Sequence, residues 1–394
     1  MLTPYNNELE IYIHIPFCVR KCLYCDFLSA PADEKTYRSY VAALKNEIIK
    51  RTYKEVWPAE KMPVVPSVFF GGGTPTVLDA EDLSGILELL KDRFNITEDA
   101  EITIECNPGT ADHDKLSKLR KAGFNRLSIG LQSTDDEKLK SLGRIHTFSD
   151  FLNIWDAASK AGFENANIDL ITAVPGQKIN DADKLLGDIT GLCPAPKHIS
   201  LYSLIIEEGT EFKRLFDAGK LDLPDEDEER AIHWKLMEEF EKAGYAQYEL
   251  SNLSIPGYEC RHNIGYWTGR EYLGFGIGAA SYFGGKRFAD TRSIDEYTKV
   301  WTSDKKDFYG LLSECSTLSE KDRMEEFMFL GLRMTKGIDK REFLERFGRD
   351  INSVYKDVIE KHMKEGLLES SEDRLFLTKK GQDLANYVMA DMLL

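Results

Sequence analysis

The stretch YIHIPFCVRKCLYCDF, residues 12–27, places three cysteines within eight residues, directly after a strand-like run at residues 11–15. Cys18, Cys22 and Cys25 follow the spacing Cys-x3-Cys-x2-Cys. Thiolates this close together indicate a shared metal ion or iron–sulfur cluster. Four ligands would close a zinc site or occupy every iron of a cubane, whereas three leave one iron of a [4Fe–4S] cluster open to a further ligand. The stretch therefore predicts a cluster-binding loop after a first strand.

Two simpler interpretations fit the same three cysteines. His14 could complete a zinc site, or the thiols could be unrelated buried side chains. Zinc sites usually combine one Cys-x2-Cys pair with a second pair further along the chain, and this sequence has no second pair. The cluster is therefore the favoured prediction.

The cysteine motif resembles that of the radical S-adenosylmethionine (SAM) superfamily. In that family, the amino and carboxylate groups of SAM chelate the open iron, and one electron from the cluster cleaves the sulfonium to a 5′-deoxyadenosyl radical. The resemblance implies a [4Fe–4S] cluster on Cys18, Cys22 and Cys25 and SAM as a second cofactor. It also implies an electron donor such as a flavodoxin or a ferredoxin.

Composition limits the partners and the compartment. The chain has 394 residues, a net charge of −16 at pH 7 and seven cysteines. The negative charge would repel phosphates, so no nucleic-acid partner is expected. An odd number of cysteines with three clustered favours a reducing compartment. Residues 1–19 hold no Lys or Arg, and no run of 18 apolar residues occurs. We expect a cytoplasmic protein without signal peptide or membrane span, with peripheral membrane association as an alternative.

Strand-like and helix-like segments alternate after the cysteine loop. Strands are expected at residues 67–70, 101–105, 126–130, 165–173 and 198–204, and helices at 33–54, from about 79, 114–122, 148–161 and 181–191. Such alternation predicts a parallel sheet with right-handed crossovers. Six units predict an α/β fold, a partial (β/α)6 TIM-like barrel of the radical SAM type. In barrels, ligand-facing groups lie at the carboxyl ends of the strands.

A glycine-rich turn, Gly71-Gly-Gly-Thr-Pro75, follows the second strand. Consecutive glycines let backbone amides approach a ligand closely, although they also occur in ordinary turns. Radical SAM proteins use such a stretch to hold the SAM amino group, and Gly72, Gly73 and Thr74 match it.

Polar residues at other strand ends are further candidates. On spacing alone, Glu105 could be a strand-end carboxylate that faces water and Gln132 a turn residue. Arg144 could pair with Asp135 or Asp136 on the surface. The resemblance extends to the coproporphyrinogen-dehydrogenase branch of the superfamily, and it implies that Tyr12 and Glu105 contact the cluster-bound SAM. It assigns a second SAM to a further set of residues: Tyr24, Gln132, Arg144 and Asp169.

A second distinctive stretch, residues 259–267, reads ECRHNIGYW. A lone histidine is more often a hydrogen-bonded structural residue than a metal ligand. Imidazole can also ligate haem iron, and aromatic faces can cover a porphyrin. The motif His-Asn-x-x-Tyr-Trp resembles that of the HemW group of haem chaperones. The resemblance assigns haem binding to His262, Asn263, Tyr266 and Trp267.

Two departures from the dehydrogenase favour the HemW group. Phe27 stands where the dehydrogenase carries a further cysteine, and Cys18 lies too near the start for that enzyme's long amino-terminal arm. The function expected from the resemblance is a haem chaperone that delivers haem to acceptor haemoproteins, including acceptors at the membrane. The alternative is an oxygen-independent coproporphyrinogen III oxidase, or another radical SAM enzyme acting on a tetrapyrrole.

The sequence changes character from about residue 318. Helices are expected at residues 321–333, 340–347 and 352–366, followed by a hairpin at 367–378 and a last helix. These elements predict a helical, winged-helix-like domain. No basic face accompanies it, so docking beside the barrel is expected rather than DNA binding. The predicted organisation is a barrel domain at residues 1–290, a linker at 291–317 and a carboxyl-terminal domain at 318–394.

Overall fold

The first half of the chain forms parallel strands separated by helices. The computed structural model describes residues 7–51, 62–303 and 311–394. The strands are β1 (Glu8–Ile15), β2 (Val64–Gly72), β3 (Asn95–Cys106), β4 (Arg126–Gln132), β5 (Asn165–Thr172) and β6 (His198–Ser203). They lie side by side in sequence order, and each pairs in parallel with the next.

Helices connect these strands as crossovers. They are α1 (Glu34–Arg51), α2 (Ala80–Arg93), α3 (His113–Ala122), α4 (Asp136–Ser141), α5 (Phe148–Lys160) and α6 (Asp181–Thr190). Local sequence fixes several ends: Thr147 and Asp150 form a capping box at the start of α5. The predicted fold class, an α/β protein with a large parallel sheet, is confirmed. Residues 52–54, the end of the first predicted helix, lie outside the described residues.

Strand periodicity separates the core from the barrel interior. In β4, Leu127, Ile129 and Leu131 are fully buried in the main hydrophobic core, under the helices. The alternate residues, Arg126 and Ser128, are polar and nearly inaccessible. Because successive side chains of a strand point to opposite faces, the apolar set packs on the helices and the polar set lines the barrel interior.

The sheet continues beyond the parallel strands at both edges. The elements after β6 are α7 (Glu211–Asp217), α8 (Glu226–Lys242), β7 (Ala246–Glu249), β8 (Asn252–Ser254), α9 (Arg261–Trp267), β9 (Glu271–Phe275), β10 (Ala280–Phe283), β11 (Lys286–Asp290), α10 (Ile294–Trp301) and β12 (Leu312–Thr317). The sheet order is β12-β11-β10-β9-β1-β2-β3-β4-β5-β6-β8-β7. The expected linker at 291–317 therefore contains a helix and an edge strand of this sheet, apart from residues 304–310, which lie outside the described residues.

The carboxyl-terminal segment has its own hydrophobic cluster, which includes Met328, Phe343 and Tyr355. Its elements are α11 (Glu320–Gly331), β13 (Ile338–Asp339), α12 (Lys340–Phe347), α13 (Ile351–Lys364), β14 (Leu368–Ser370), β15 (Arg374–Leu377), α14 (Lys379–Asp383) and α15 (Ala385–Ala390). The strands form a small sheet in the order β13-β15-β14. The helical, winged-helix-like character follows from these elements, while the predicted domain boundaries stay a prediction.

The carboxyl-terminal segment packs against the sheet through specific polar contacts. Arg287 of β11 forms a two-point ion pair with Glu326 of α11, at 2.6 and 3.1 Å. The Arg333 guanidinium lies 4.2 Å from the centre of the Trp267 ring. Across the ranges that the structure covers, no helix has the length and apolar character needed to cross a membrane.

Candidate functional site

One cleft at the carboxyl ends of the parallel strands collects most of the predicted site residues. It measures about 660 Å³ including its open mouth. Its lining includes Cys18, Cys22, Tyr24, Cys25, Gly72, Gly73, Glu105, Gln132, Arg144 and Asp169. Tyr12 borders an adjoining space that shares Gly72 and Glu105 with the cleft, and Thr74 lies behind Cys18.

Backbone hydrogen bonds hold the cysteine loop in place. The Cys18 amide donates to the Ala30 carbonyl at 3.2 Å, and the Ala30 amide donates to the Pro16 carbonyl at 3.0 Å. At the far side, the Leu23 amide donates to the Leu142 carbonyl at 3.1 Å. Pro16 follows β1 and cannot donate to a strand ladder, so the chain leaves the sheet here, and the loop that follows lines the cleft.

The three thiols are partly exposed and line the cleft from one loop. Within the described parts of the chain, no three His, Cys, Asp or Glu side chains converge closely enough to hold a single metal ion. A cubane has its irons at separate corners, so its ligands need not meet at one point. The donor set, three thiols from one short loop beside an open space, fits a [4Fe–4S] cluster with one free iron.

Hydrogen-bond donors approach two of the thiols. The Thr74 hydroxyl lies 3.6 Å from the Cys18 Sγ, and an Arg144 Nη donates to the Cys22 Sγ at 3.4 Å. Desolvation by the protein raises the pKa of the Cys25 thiol. Such contacts around cluster sulfurs influence the reduction potential of a bound cluster.

The glycine turn fixes the cluster loop to the end of β2. The Gly73 amide donates to the Ile15 carbonyl at 2.8 Å, and a Cβ at Gly73 would lie 2.4 Å from the Phe17 carbonyl oxygen. Gly72 has a φ of +109°, and its amide donates to a Glu105 carboxylate oxygen at 3.2 Å. Glycine is needed at both positions, for close approach at Gly73 and for the left-handed backbone at Gly72.

Two carboxyl groups set the electrostatics of the cleft floor. Desolvation, together with the charge of Asp169, raises the pKa of Glu105 to about 8. Desolvation also raises the pKa of Asp169. Hydrogen bonds from Asn167 at 2.8 Å and Ser128 at 3.3 Å act in the opposite direction and lower it. A positively charged ligand stabilises the ionised form of nearby carboxyl groups. The cleft floor is therefore suited to a cation such as a sulfonium.

Asn107 is a site residue that the sequence analysis missed. Its amide nitrogen donates to the Thr74 hydroxyl at 2.6 Å, and its amide oxygen accepts from Arg144. Asn107 thereby links the residues that contact Cys18 and Cys22. It follows β3 just after Glu105, so its position as a polar residue at a strand end was a usable signal.

The structure places His262 away from the cleft. It lies in α9 against the inner faces of β1–β3 and is 2% exposed. One ring nitrogen is 2.9 Å from the Ser67 hydroxyl, and the other is 3.2 Å from the Tyr266 hydroxyl. Burial, with the charges of Arg270 and Arg126, lowers the pKa of His262 to about 3, so the ring is neutral.

The remaining members of the predicted haem motif are also placed outside the cleft. Tyr266 packs edge-on against Tyr272, with ring centres 4.7 Å apart, and Trp267 lies under Arg333. Asn263 is partly buried on the same helix. An axial haem ligand needs a free ring nitrogen, and both His262 nitrogens are engaged. This geometry counts against the prediction of His262 as the haem ligand and favours the structural role.

Comparison with known proteins gives two family matches. The Radical SAM superfamily matches residues 12–189, and the HemN C-terminal domain matches residues 318–384. Among curated proteins, the chain is 36% identical to the heme chaperone HemW of Bacillus subtilis, over 97% of this chain and 98% of that protein. It is 34% identical to the heme chaperone HemW of Escherichia coli, over 97% of each chain.

Among solved structures, the chain resembles coproporphyrinogen III oxidase (HemN) from Escherichia coli, a radical SAM enzyme. The TM-score is 0.82 at 23% identity, covering 98% of this chain and 90% of that one. At this identity the likeness establishes the fold.

Proposed function

Since the chain belongs to the HemW family of the radical SAM superfamily, we propose that it is a haem chaperone that carries a SAM-coordinating [4Fe–4S] cluster and delivers haem to acceptor haemoproteins. The observation that carries the proposal is the 36% identity to a heme chaperone over nearly the full length of both chains. The cleft supports it, because three thiols and two desolvated carboxyl groups meet there.

The cleft residues divide into three roles. Cys18, Cys22 and Cys25 would hold the cluster, and the bound cluster would supply the electron for reductive cleavage of SAM. The glycine turn at residues 72–74 receives the SAM amino group. Glu105, between that turn and Asp169, orients the ligand and balances its positive charge.

A second SAM is proposed for the side of the cleft lined by Tyr24, Gln132, Arg144 and Asp169. Arg144 here donates to the Gly130 carbonyl at 2.6 Å as well as to Cys22. A ligand carboxylate at Arg144 would replace some of these hydrogen bonds. Tyr12 borders the cluster-bound SAM from β1.

The proposed partners are haem, haem-accepting proteins that include membrane-associated ones, and an electron donor such as a flavodoxin or a ferredoxin. The proposed location is the cytoplasm, with peripheral contact to the membrane during delivery.

An oxidative decarboxylase acting on coproporphyrinogen III is the second candidate function. The observation that favours it is that most of the predicted cluster and SAM residues line one cleft and the space adjoining it. Phe27, in place of the further cysteine of the dehydrogenase, counts against it.

One experiment separates the two functions. Protein reconstituted anaerobically with iron and sulfide is incubated with SAM and a reductant, and with either haem or coproporphyrinogen III. A haem chaperone is expected to bind haem and form no protoporphyrinogen. Formation of protoporphyrinogen with consumption of SAM, and without haem binding, would replace the chaperone proposal with the decarboxylase.

A further inference from the structure

The cleft continues into a second space, here called the side compartment. It measures about 770 Å³ including its opening and shares Phe27, Gly72 and Glu105 with the cleft. Leu28 and Arg292 belong to the side compartment and not to the cleft. A ligand in the side compartment would therefore lie next to the site proposed for the cluster and SAM.

Aromatic and aliphatic side chains are part of the lining of the side compartment. Phe27 is 59% exposed, so its ring is accessible to a ligand. Leu28 and the ring of Tyr12 are partly buried next to it. This wall offers apolar contact to a flat ligand.

Arg292 supplies the positive charge of the side compartment. Its side chain is exposed, and among the described residues no carboxylate lies within ion-pair distance of its guanidinium. His14 also lines the space, but its ring nitrogens are engaged by the Tyr12 hydroxyl at 3.1 Å and the Leu28 carbonyl at 2.9 Å. Asp26 and Glu105 are the carboxyl groups that face this space.

We propose that the side compartment binds haem, with Arg292 pairing with a propionate and Phe27 packing on the macrocycle. This inference rests on the proposed haem-chaperone function and replaces the 259–267 stretch as the haem site. Haem combines a flat apolar ring with carboxylates on one edge. An arginine fork pairs with a carboxylate through two hydrogen bonds, and an exposed aromatic ring contacts the apolar face.

A carboxylate beside Arg292 could also come from the methionine end of SAM. The two sources are distinguished by ligands that differ in one group. Haem carries free propionates, whereas haem dimethyl ester presents the same macrocycle with both carboxylates blocked.

The test is a set of absorbance titrations of the reconstituted protein with haem and with haem dimethyl ester, and a separate measurement of SAM affinity. Arg292→Ala is expected to weaken haem binding about tenfold. Its affinities for haem dimethyl ester and for SAM should stay within twofold of the wild-type values. Arg292→Lys should keep most of the haem affinity. Phe27→Ala should weaken haem and ester equally, since the ring contacts the macrocycle in both.

Lys286→Ala is the matched control, because this exposed β11 residue removes one positive charge without lining the side compartment. The inference is overturned if Arg292→Ala weakens the binding of haem and of haem dimethyl ester equally. It is also overturned if the variant binds SAM more weakly and haem as well as wild type does. If wild type binds haem and Arg292→Ala binds it equally well, only this inference fails. If wild type binds no haem, the proposed function fails with it.

Discussion

Gly73→Ala is expected to damage the cluster loop itself, not only the ligand space beside it. A Cβ at Gly73 would lie 2.4 Å from the Phe17 carbonyl oxygen, against about 3.4 Å for ordinary contact, and 2.9 Å from the Phe17 carbonyl carbon and amide nitrogen. All three contacts are backbone atoms, so no side-chain rotation can relieve them. Phe17 directly precedes Cys18, and relief of the clash therefore moves a proposed cluster ligand.

The expected magnitude follows from the contacts that must change. Moving Phe17 away strains the Gly73-to-Ile15 hydrogen bond of 2.8 Å and the Thr74-to-Phe17 hydrogen bond of 2.7 Å. Each is worth about 0.5–1.5 kcal/mol, and overpacking a tight site costs about 1–3 kcal/mol. We expect the free energy of unfolding of the apo-protein to fall by roughly 2–6 kcal/mol, with a loss of most of the reconstituted iron.

Two measurements check this expectation: urea unfolding of the apo-protein, and iron and sulfide content after anaerobic reconstitution. Gly187→Ala is the control, because a Cβ there meets nothing within 4 Å and Gly187 lies inside α6. Alanine in a helix is favoured by up to about 1 kcal/mol, so the control should be neutral or stabilising. If Gly73→Ala keeps wild-type stability and iron content, the reasoning from close approach is refuted.

The other predictions concern ligands and electrostatics. Alanine at Cys18, Cys22 or Cys25 should reduce reconstituted iron from about four per chain to near zero, measured by iron analysis and charge-transfer absorption. With Glu105 at a pKa of about 8, SAM affinity should rise by up to about tenfold from pH 7 to 9 as the carboxyl group ionises, and Glu105→Gln should remove this component in calorimetric titrations. His262→Ala should lower the free energy of unfolding by about 2–4 kcal/mol and leave the Soret position of bound haem unchanged.

Each of these predictions has a defined contrary outcome. Alanine at the exposed Cys193 or Cys315 serves as the control for the cluster ligands, and equal iron loss in these controls would contradict the assignment. An unchanged pH dependence in Glu105→Gln would show that another group governs SAM binding. A shifted Soret band in His262→Ala would restore the histidine as a haem ligand.

Sequence reasoning identified the cleft because one topological rule connects its residues. Parallel strands end at the same edge of a sheet, so the cysteine loop after β1, the glycine turn at the end of β2, Glu105 near the end of β3 and Gln132 at the end of β4 were expected to meet. The structure places them around one cleft. The helices between the strands also followed from amphipathic spacing, with ends that shifted by a few residues.

The same reasoning could not predict the orientation of α9. The sequence shows His262 among aromatic residues, but not that the helix turns it toward Ser67 inside the barrel. Strand β12 was missed for a different reason: its side chains are almost all exposed, so it lacks the buried alternation that identifies strands. Arg292 carried no signal, because the residues that line the side compartment with it come from distant parts of the sequence.

Haem transfer is the most direct test of the central claim. Reconstituted protein loaded with one equivalent of haem is mixed anaerobically with an apo-haemoprotein, and the Soret spectra of donor and acceptor are followed after their separation. The chaperone account predicts that haem binds and passes to the acceptor. The same measurement with the Cys18→Ala variant shows whether delivery needs the cluster. Absence of haem binding by the cluster-loaded protein, or haem that never leaves it, would contradict the account.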